Sequence, residues 1–493
     1  MSGHRSGREL RKEIGHPILD ADGHSIEFQP LLLEYLREVG GAEIVDRYAA
    51  HIATEQSKFA DIDRRRSART PAAPWWTRPA MNTRDRATPM LPGLMAERLE
   101  EIGLDHSVVY PSIALGFPRY ADPDLRRALC RAVNTMRADQ FRPFTDRLTP
   151  VAVIPAHSPD EAREELDHAI GQLGMKAIVM PSHVARTNGS DSPSPGTTWI
   201  DNLVIDSQHD YDPLWQACLD WKVVPTFHSS GMWGSRSTPS NYVYNHVGHF
   251  ASSAEIICKS LLMGGVTRRF PSLRFGFLEG GCGWAVNLLS DLVGHWEKRG
   301  GGSVKQYNPM HVDREQLGEL IDRYGDAEFR KVADQLGTVL DTEARNGPAG
   351  TLSDDPSIRA RSDQMDDFDA SGITTVDDFI DRFVEPFYFG CEADDPMTTL
   401  AFDPRFRLAG RDLKAMLSSD IGHWDVTDIS EVLEEAYEGC EEGLMSADEF
   451  RAFALDNALR MYTDVNPAFF DGTTLEDAAR ASVGSVNAGA GEG

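Results

Sequence analysis

At 493 residues, with 77 acidic side chains against 49 basic ones, the chain carries a formal net charge of −28. A field of that sign repels phosphate backbones and anionic lipid, which argues against nucleic acid and membrane surfaces as partners and leaves a small-molecule substrate. With 41% hydrophobic residues and no apolar run of about 18 residues, the composition fits a globular domain that buries a large core and has no transmembrane helix.

The six cysteines, Cys130, Cys218, Cys258, Cys282, Cys391 and Cys440, are scattered without a CxxC pair. That spacing suits neither a disulfide framework nor a zinc finger and fits reduced thiols in a cytoplasmic protein. The polar opening, residues 1–13, does not read as a secretory signal.

Eight short apolar runs follow in chain order: 17–24, 106–112, 148–155, 176–183, 223–229, 273–280, 387–394 and 415–420. Rich in β-branched and aromatic residues and bounded by turn residues, they read as buried strands. Helical patterns lie between them. Residues 122–141 place Leu125, Leu129, Val133 and Met136 at helical spacing, and 158–173 open with Ser158-Pro-Asp-Glu161, a helix-capping signature.

Eight strands alternating with helices is the count of an α/β fold, the (β/α)8 TIM-type barrel, in which successive units are parallel and right-handed. A doubly wound open sheet is the alternative. One barrel domain is expected over residues 14–478, with flexible termini at 1–13 and 479–493. Two long insertions interrupt the rhythm. The first, 25–105 after strand one, holds a helical pattern over 28–65 and then a stretch with Trp75, Trp76 and Arg78. The second, 300–384 after strand six, is acidic and rich in Gly, Ser and Asp around 347–369. It suits a mobile loop or a contact within a homo-oligomer.

A barrel of this kind carries its active site at the C-terminal ends of the strands. Asp22 and His24 end the first strand two residues apart, hence on one face. His228 ends the fifth, Glu279 the sixth, Glu392 or Asp394 the seventh and Asp420 the eighth. Imidazole plus carboxylate is a standard ligand set for a divalent ion. Singly, each has a plainer reading: a packed histidine at His228, a helix cap at Asp420, an ion pair between Glu279 and an arginine of the first insertion. Their joint placement at one barrel mouth favours Asp22, His24, His228 and Asp420 as metal ligands. His183 closes strand four, His246 and His249 follow strand five, and His423 follows strand eight. Each can meet substrate or a second metal, or serve as an ordinary packed residue. Trp75, Trp76 and Arg78 suit a lid or pocket wall, or a cluster that packs the insertion onto the barrel.

The segments Asp20-Ala-Asp-Gly-His24, Arg269 through Trp284 and Ser418-Ser-Asp-Ile-Gly-His-Trp-Asp425, with the strand-five His228, resemble the amidohydrolase superfamily. Within it they look like the branch of aminocarboxymuconate semialdehyde decarboxylase and related aromatic-acid decarboxylases. The stretch from Asp456 to Tyr462 is similar to that branch's C-terminal helix. The resemblance implies a metal-dependent hydrolase or non-oxidative decarboxylase acting on a small carboxylated or cyclic molecule. Zinc, manganese or iron, one or two ions per chain, would be held by Asp22, His24, His228 and Asp420.

Many members carry a histidine where this chain has Glu279. That departure makes Glu279 and His423 the candidates for moving protons, with the pKa of Glu279 lowered by a nearby cation. It also opens a second reading, a dinuclear iron-type oxygenase on the same fold. A third is a non-catalytic partner subunit of such an enzyme.

Overall fold

The computed structural model describes residues 5–59, 61–69, 79–228, 237–346 and 366–489. Its strands in chain order are β1 Leu19–Ser25, β2 His106–Pro111, β3 Leu148–Val153, β4 Ala177–Pro181, β5 Val184–Thr187, β6 Thr198–Asp201, β7 Pro225–His228, β8 Phe275–Phe277, β9 Phe387–Glu392 and β10 Lys414–Ser418. All eight expected strands are present. β1, β2, β3, β4, β7, β8, β9 and β10 lie side by side in that order, every recorded pairing parallel. β5 and β6 form a separate antiparallel hairpin after β4 that the apolar pattern did not announce, being short and half exposed.

The ring closes between β10 and β1. Past β10, the Asp420 amide donates to the Asp22 carbonyl at 3.0 Å, and the His24 amide donates to the Ile421 carbonyl at 3.1 Å. The fold is therefore a (β/α)8 barrel and not an open sheet.

Alternation along the strands sorts their side chains. Phe227, Phe275, Phe277, Phe387 and Phe389 face outward and pack on one another, stacked or edge-on, beneath the surrounding helices. Residues of the other parity, among them Val108, Tyr110, Val179, Tyr388 and Met416, fill the interior. The floor is sealed by the helix Asn457–Thr463. Its Met461 sulfur sits 3.0 Å from where a Cβ on Gly276 would be, so the absence of a side chain there admits the plug.

Sequence signals account for the outer helices. Asp122 caps Pro123–Phe141, accepting from the amides of Asp124 and Leu125, and Ser158 accepts from Glu161 to start Pro159–Leu166. In the first insertion the long helix Gln29–Phe59 kinks at Gly41, whose φ of 77° is cheap only for glycine.

The described residues at both ends are helical. Gly7–Ile14 is a helix with a capping box between Ser6 and Glu9, and its Leu10 is fully buried. The helix Glu476–Gly489 runs into the Ala- and Ser-rich tail, with Leu475 and Ala479 packed on the core. In both, a few apolar contacts outweigh a composition that looks like a tail. All six cysteines are free thiols. Among the described residues no helix is long and apolar enough to cross a membrane. The stretch 347–365 lies outside them.

Candidate metal centre and active site

The mouth of the barrel is built first by an irregularity in β1. Its register against β2 slips between Asp20 and Gly23. A Cβ on Gly23 would collide with the Ser107 hydroxyl and the Asp20 carboxylate. Glycine there lets the strand end fold tightly over Asp20. That carboxylate is fully buried and works on backbone: it accepts from Ser107 Oγ at 2.5 Å, Ser419 Oγ at 2.8 Å, the Ser419 amide at 2.9 Å and the Asp22 amide at 3.2 Å. Asp20 thus ties the end of β1 to the end of β10.

On that seam stand six side chains, none more than 1% exposed. His24 Nε2 is 3.3 Å from Asp22 Oδ1, 3.4 Å from Asp420 Oδ1, 3.9 Å from Glu279 Oε2 and 3.2 Å from His228 Nε2. His228 Nε2 is 2.7 Å from Glu279 Oε2 and 3.9 Å from Asp22 Oδ2. His423 Nδ1 lies against Asp420 and 3.5 Å from Glu279 Oε1. Two of these residues hold strained backbone: φ is 57° at Glu279 and 49° at Asp420, the left-handed region that non-glycine residues rarely adopt. Strain of this kind persists where the surroundings over-determine it, commonly at functional sites.

Charge in this cluster is unbalanced. Burial drives the pKa values of Asp22, Glu279 and Asp420 well above the carboxylate range, and the negative charges of neighbouring carboxylates push them further. Burial also holds His24 far below its usual value and His228 down at about 3, so neither imidazole supplies positive charge. Among the described residues, all six oxygens of Asp22, Glu279 and Asp420 are buried without a hydrogen bond of ordinary geometry. Carboxylate oxygens and neutral imidazoles converging in this way are what a divalent ion needs. Two overlapping quartets have ligand atoms within 4.8 Å of one another: Asp22, His24, His228 and Glu279; and His24, Glu279, Asp420 and His423.

The structure therefore gathers Asp22, His24, His228, Asp420, Glu279 and His423 at one point. The other candidates stand further out. His246 pairs with Asp425 at 3.5 Å and packs on Phe250. His249 packs on Phe250 as well, and Phe250 meets the His228 ring edge-on at 5.5 Å. His183 is buried, and its charge acts on His249. Glu392 is half-buried and pushed up to about 8, first by burial and then by Asp425, Asp394 and Asp395. Asp394 is exposed. Trp75, Trp76 and Arg78 lie outside the described residues.

Sequence reasoning missed Asp20, Ser107 and Ser419 as supports. Asp20 was visible as an acidic residue inside an apolar strand, where an unpartnered carboxylate is costly; its hydroxyl partners come from two distant strands.

The profile of the amidohydrolase family matches residues 22–328, more than half of the chain. The chain belongs to the amidohydrolase family. The match runs from the Asp22–His24 pair past Glu279. This amidohydrolase is an enzyme whose barrel mouth carries a buried set of Asp, His and Glu side chains able to hold a divalent metal ion.

Solved structures similar to it include a dihydroxybenzoic acid decarboxylase from a Polaromonas species with bound manganese and the inhibitor 2-nitroresorcinol. It is 14% identical, with 91% of this chain and 97% of that one covered and a TM-score of 0.49. A manganese-bound 5-carboxyvanillate decarboxylase from Novosphingobium aromaticivorans is 13% identical over 92% and 98% of the two chains, with a TM-score of 0.47. A 2,6-dihydroxybenzoate decarboxylase from Rhizobium is 14% identical over 91% and 99%, also at 0.47.

Proposed function

We propose that this amidohydrolase cleaves a C–C, C–N or C–O bond of a small carboxylated or cyclic molecule, by hydrolysis or non-oxidative decarboxylation, with Asp22, His24, His228 and Asp420 as metal ligands. The observation that carries the reading is the excess of buried, unsatisfied carboxylate oxygens beside neutral imidazoles at the strand ends. A divalent ion supplies a Lewis acid that polarises a substrate oxygen and lowers the pKa of bound water toward about 7.

The chain's own residues do the rest. Asp22 and Asp420 each bring a carboxylate oxygen to His24 Nε2. Asp20, through Ser107 and Ser419, fixes the backbone that aims them. His423 presents Nδ1 to Asp420, and its Nε2 lies 3.4 Å from Ser112 Oγ. A carboxylate at Nδ1 favours the tautomer protonated there, which would leave Nε2 as the basic nitrogen, the arrangement of a general base. Glu279, between His228 and His423, is placed to carry a proton to or from the reacting atom.

The experiment is elemental analysis of the purified protein, followed by turnover assays on aromatic and cyclic acids with carbon dioxide release monitored. Stoichiometric divalent metal with activity that chelation abolishes supports the reading. Protein without metal and indifferent to added manganese overturns it.

One observation favours a second reading: the two ligand quartets share His24 and Glu279, a layout that suits two adjacent ions and oxygen chemistry. About two ions per chain with oxygen consumed in turnover select it. About one ion with anaerobic turnover rejects it.

A further inference from the structure

Arg137 lies on the buried face of the helix Pro123–Phe141 and is only 1% exposed. Its guanidinium spans three strand ends. Nη1 donates to Ser25 Oγ at the end of β1, Nη2 to the Val109 carbonyl of β2 at 2.5 Å, and Nε to the Val151 carbonyl of β3 at 3.2 Å. The recorded pairing of β2 with β3 stops at Val109 opposite Pro150, and a proline has no N–H to give across a ladder. Arg137 supplies donors where the ladder ends.

Glu27 completes the group. Its Oε1 stands 3.9 Å from Arg137 Nη1, and its Oε2 accepts from the Ile113 amide at 2.8 Å. Both side chains are buried. Their partners sit next to residues of the mouth. Ser25 adjoins His24. Val109 adjoins Tyr110, whose ring centre is 6.1 Å from that of His24 and 6.2 Å from that of His228. Ile113 adjoins Ser112, whose Oγ lies 3.4 Å from His423 Nε2.

A buried guanidinium that no carboxylate bonds directly is costly to desolvate, and an apolar side chain of similar length would fill the same space more stably. Other buried arginines avoid this cost: Arg98 bonds Asp85, Arg126 bonds Glu161 and Arg186 bonds Asp201. Arg137 gives its donors to two carbonyls and a hydroxyl instead, at the strand ends that lead into the cluster.

We propose that Arg137 is a positioning residue for the metal centre, holding the end of β1 against β2 and β3 so that His24 Nε2 is presented to Asp22 and Asp420. This rests on the barrel mouth being the metal-dependent active site. Ser25 is the link. Its hydroxyl accepts from Arg137 and itself donates to the Tyr110 carbonyl at 3.4 Å, which fixes β1 on β2 one residue past His24. Through Glu27, the same guanidinium steadies the turn that sets Ser112 opposite His423. A ligand presented by fixed neighbours binds its ion more tightly than one free to turn.

The test compares Arg137→Met, Arg137→Lys and Ser25→Ala with Arg274→Met, which breaks the pair with Asp464 at the opposite, N-terminal end of the strands. Manganese affinity is read by competition with a chelator, ligand geometry by the visible absorption of the cobalt-loaded proteins, and the His24 ring by crystal structures of the chelated proteins. Arg137→Met weakens manganese binding by roughly ten- to a hundredfold. Arg137→Lys, which keeps the charge without the planar fork, weakens it less, and Ser25→Ala does so by a few-fold. The cobalt bands shift in all three. In chelated Ser25→Ala and Arg137→Lys the His24 ring has turned, and its contacts of 3.3 Å to Asp22 and 3.4 Å to Asp420 have opened. Arg274→Met lowers the thermal midpoint and leaves affinity and bands as in the wild type.

Wild-type affinity and cobalt bands in Arg137→Lys and Ser25→Ala, with His24 unmoved in the crystals, overturn the positioning role whether or not Arg137→Met folds. Equal loss of affinity in Arg274→Met overturns it too, because general destabilisation then explains the effect. Wild-type protein that takes up neither manganese nor cobalt overturns the metal reading instead. The place of the His24 ring in the chelated variants still decides the role of Arg137.

Discussion

The barrel holds buried charge in two ways. In its helical shell and floor, several buried cations lie against a carboxylate. Arg126 donates to both oxygens of Glu161 at 2.7 and 3.0 Å, Arg98 meets Asp85 at 2.7 Å, and Lys414 meets Glu385 at 2.7 Å. At the mouth, three carboxylates face three imidazoles, and the ion pairs of the carboxylates among the described residues are with those imidazoles. Those shell pairs are electrically complete as folded. The mouth is complete only when a cation arrives, so removing a charge should have opposite consequences in the two places.

The largest effect belongs to the ligands. His24→Ala or Asp420→Ala takes metal content from about one ion per chain to near zero and turnover to background. The loss of metal affinity exceeds the roughly hundredfold typical of altering a residue behind a ligand, as read by elemental analysis and activity. In the shell, Glu161→Gln strands Arg126 and costs about 3–5 kcal/mol in urea denaturation. The matching change at the mouth, Glu279→Gln, raises the stability of the chelated protein by removing a carboxyl that must take up a proton to be buried there, and lowers metal affinity once manganese is restored. A Glu279→Gln protein that is destabilised without metal, as Glu161→Gln is, would erase the distinction between the two regions.

That distinction was half legible in the sequence. The eight strands could be read because each is a short apolar run between turn residues, and strand ends then nominate Asp22, His24, His228, Glu279 and Asp420 by position alone. His423 also lands in the cluster, three residues past Asp420 on the tight turn that the Asp420 backbone begins. What one-dimensional reasoning cannot supply is which charges meet. The partner of Glu279 was open between an arginine of the insertion and the cluster; the structure places it 2.7 Å from His228. The work of Asp20 depends on hydroxyls 87 and 399 residues away. Buried Leu10 and Leu475, beside ends rich in polar and small residues, are contacts that composition does not announce.

A subtler change at the seam tests whether geometry, and not only charge, sets the mouth. Asp20→Asn keeps the shape but turns one acceptor into a donor opposite the hydroxyls and amides it serves. The expected cost is about ten- to a hundredfold in metal affinity with the ligands intact, measured by competition with a chelator. Gly23→Ala should act in the same direction through its clash.

The smallest expected effect is a slope with pH. Glu392 has its pKa pushed up to about 8, first by burial and then by the acidic residues around it, against an unfolded value near 4.5. Between those two values the folded protein holds a proton that the unfolded chain has released. Its contribution to stability is therefore complete below the lower value and is lost as pH rises through the upper one. The charge of Glu392 is felt at Asp22, Glu279 and Asp420, so a divalent ion among them favours the ionised form and draws that pKa back down. In the chelated protein Glu392 should thus contribute a loss of stability from about pH 5 to pH 8 of less than about 1.4 kcal/mol per pH unit, the ceiling for one proton, read as the difference between wild type and Glu392→Gln. Manganese should flatten the decline, and Glu392→Gln should flatten it with or without metal. If the decline is as steep in Glu392→Gln as in the wild type, Glu392 titrates like a solvated carboxylate, and the unbalanced charge ends at the six residues of the cluster.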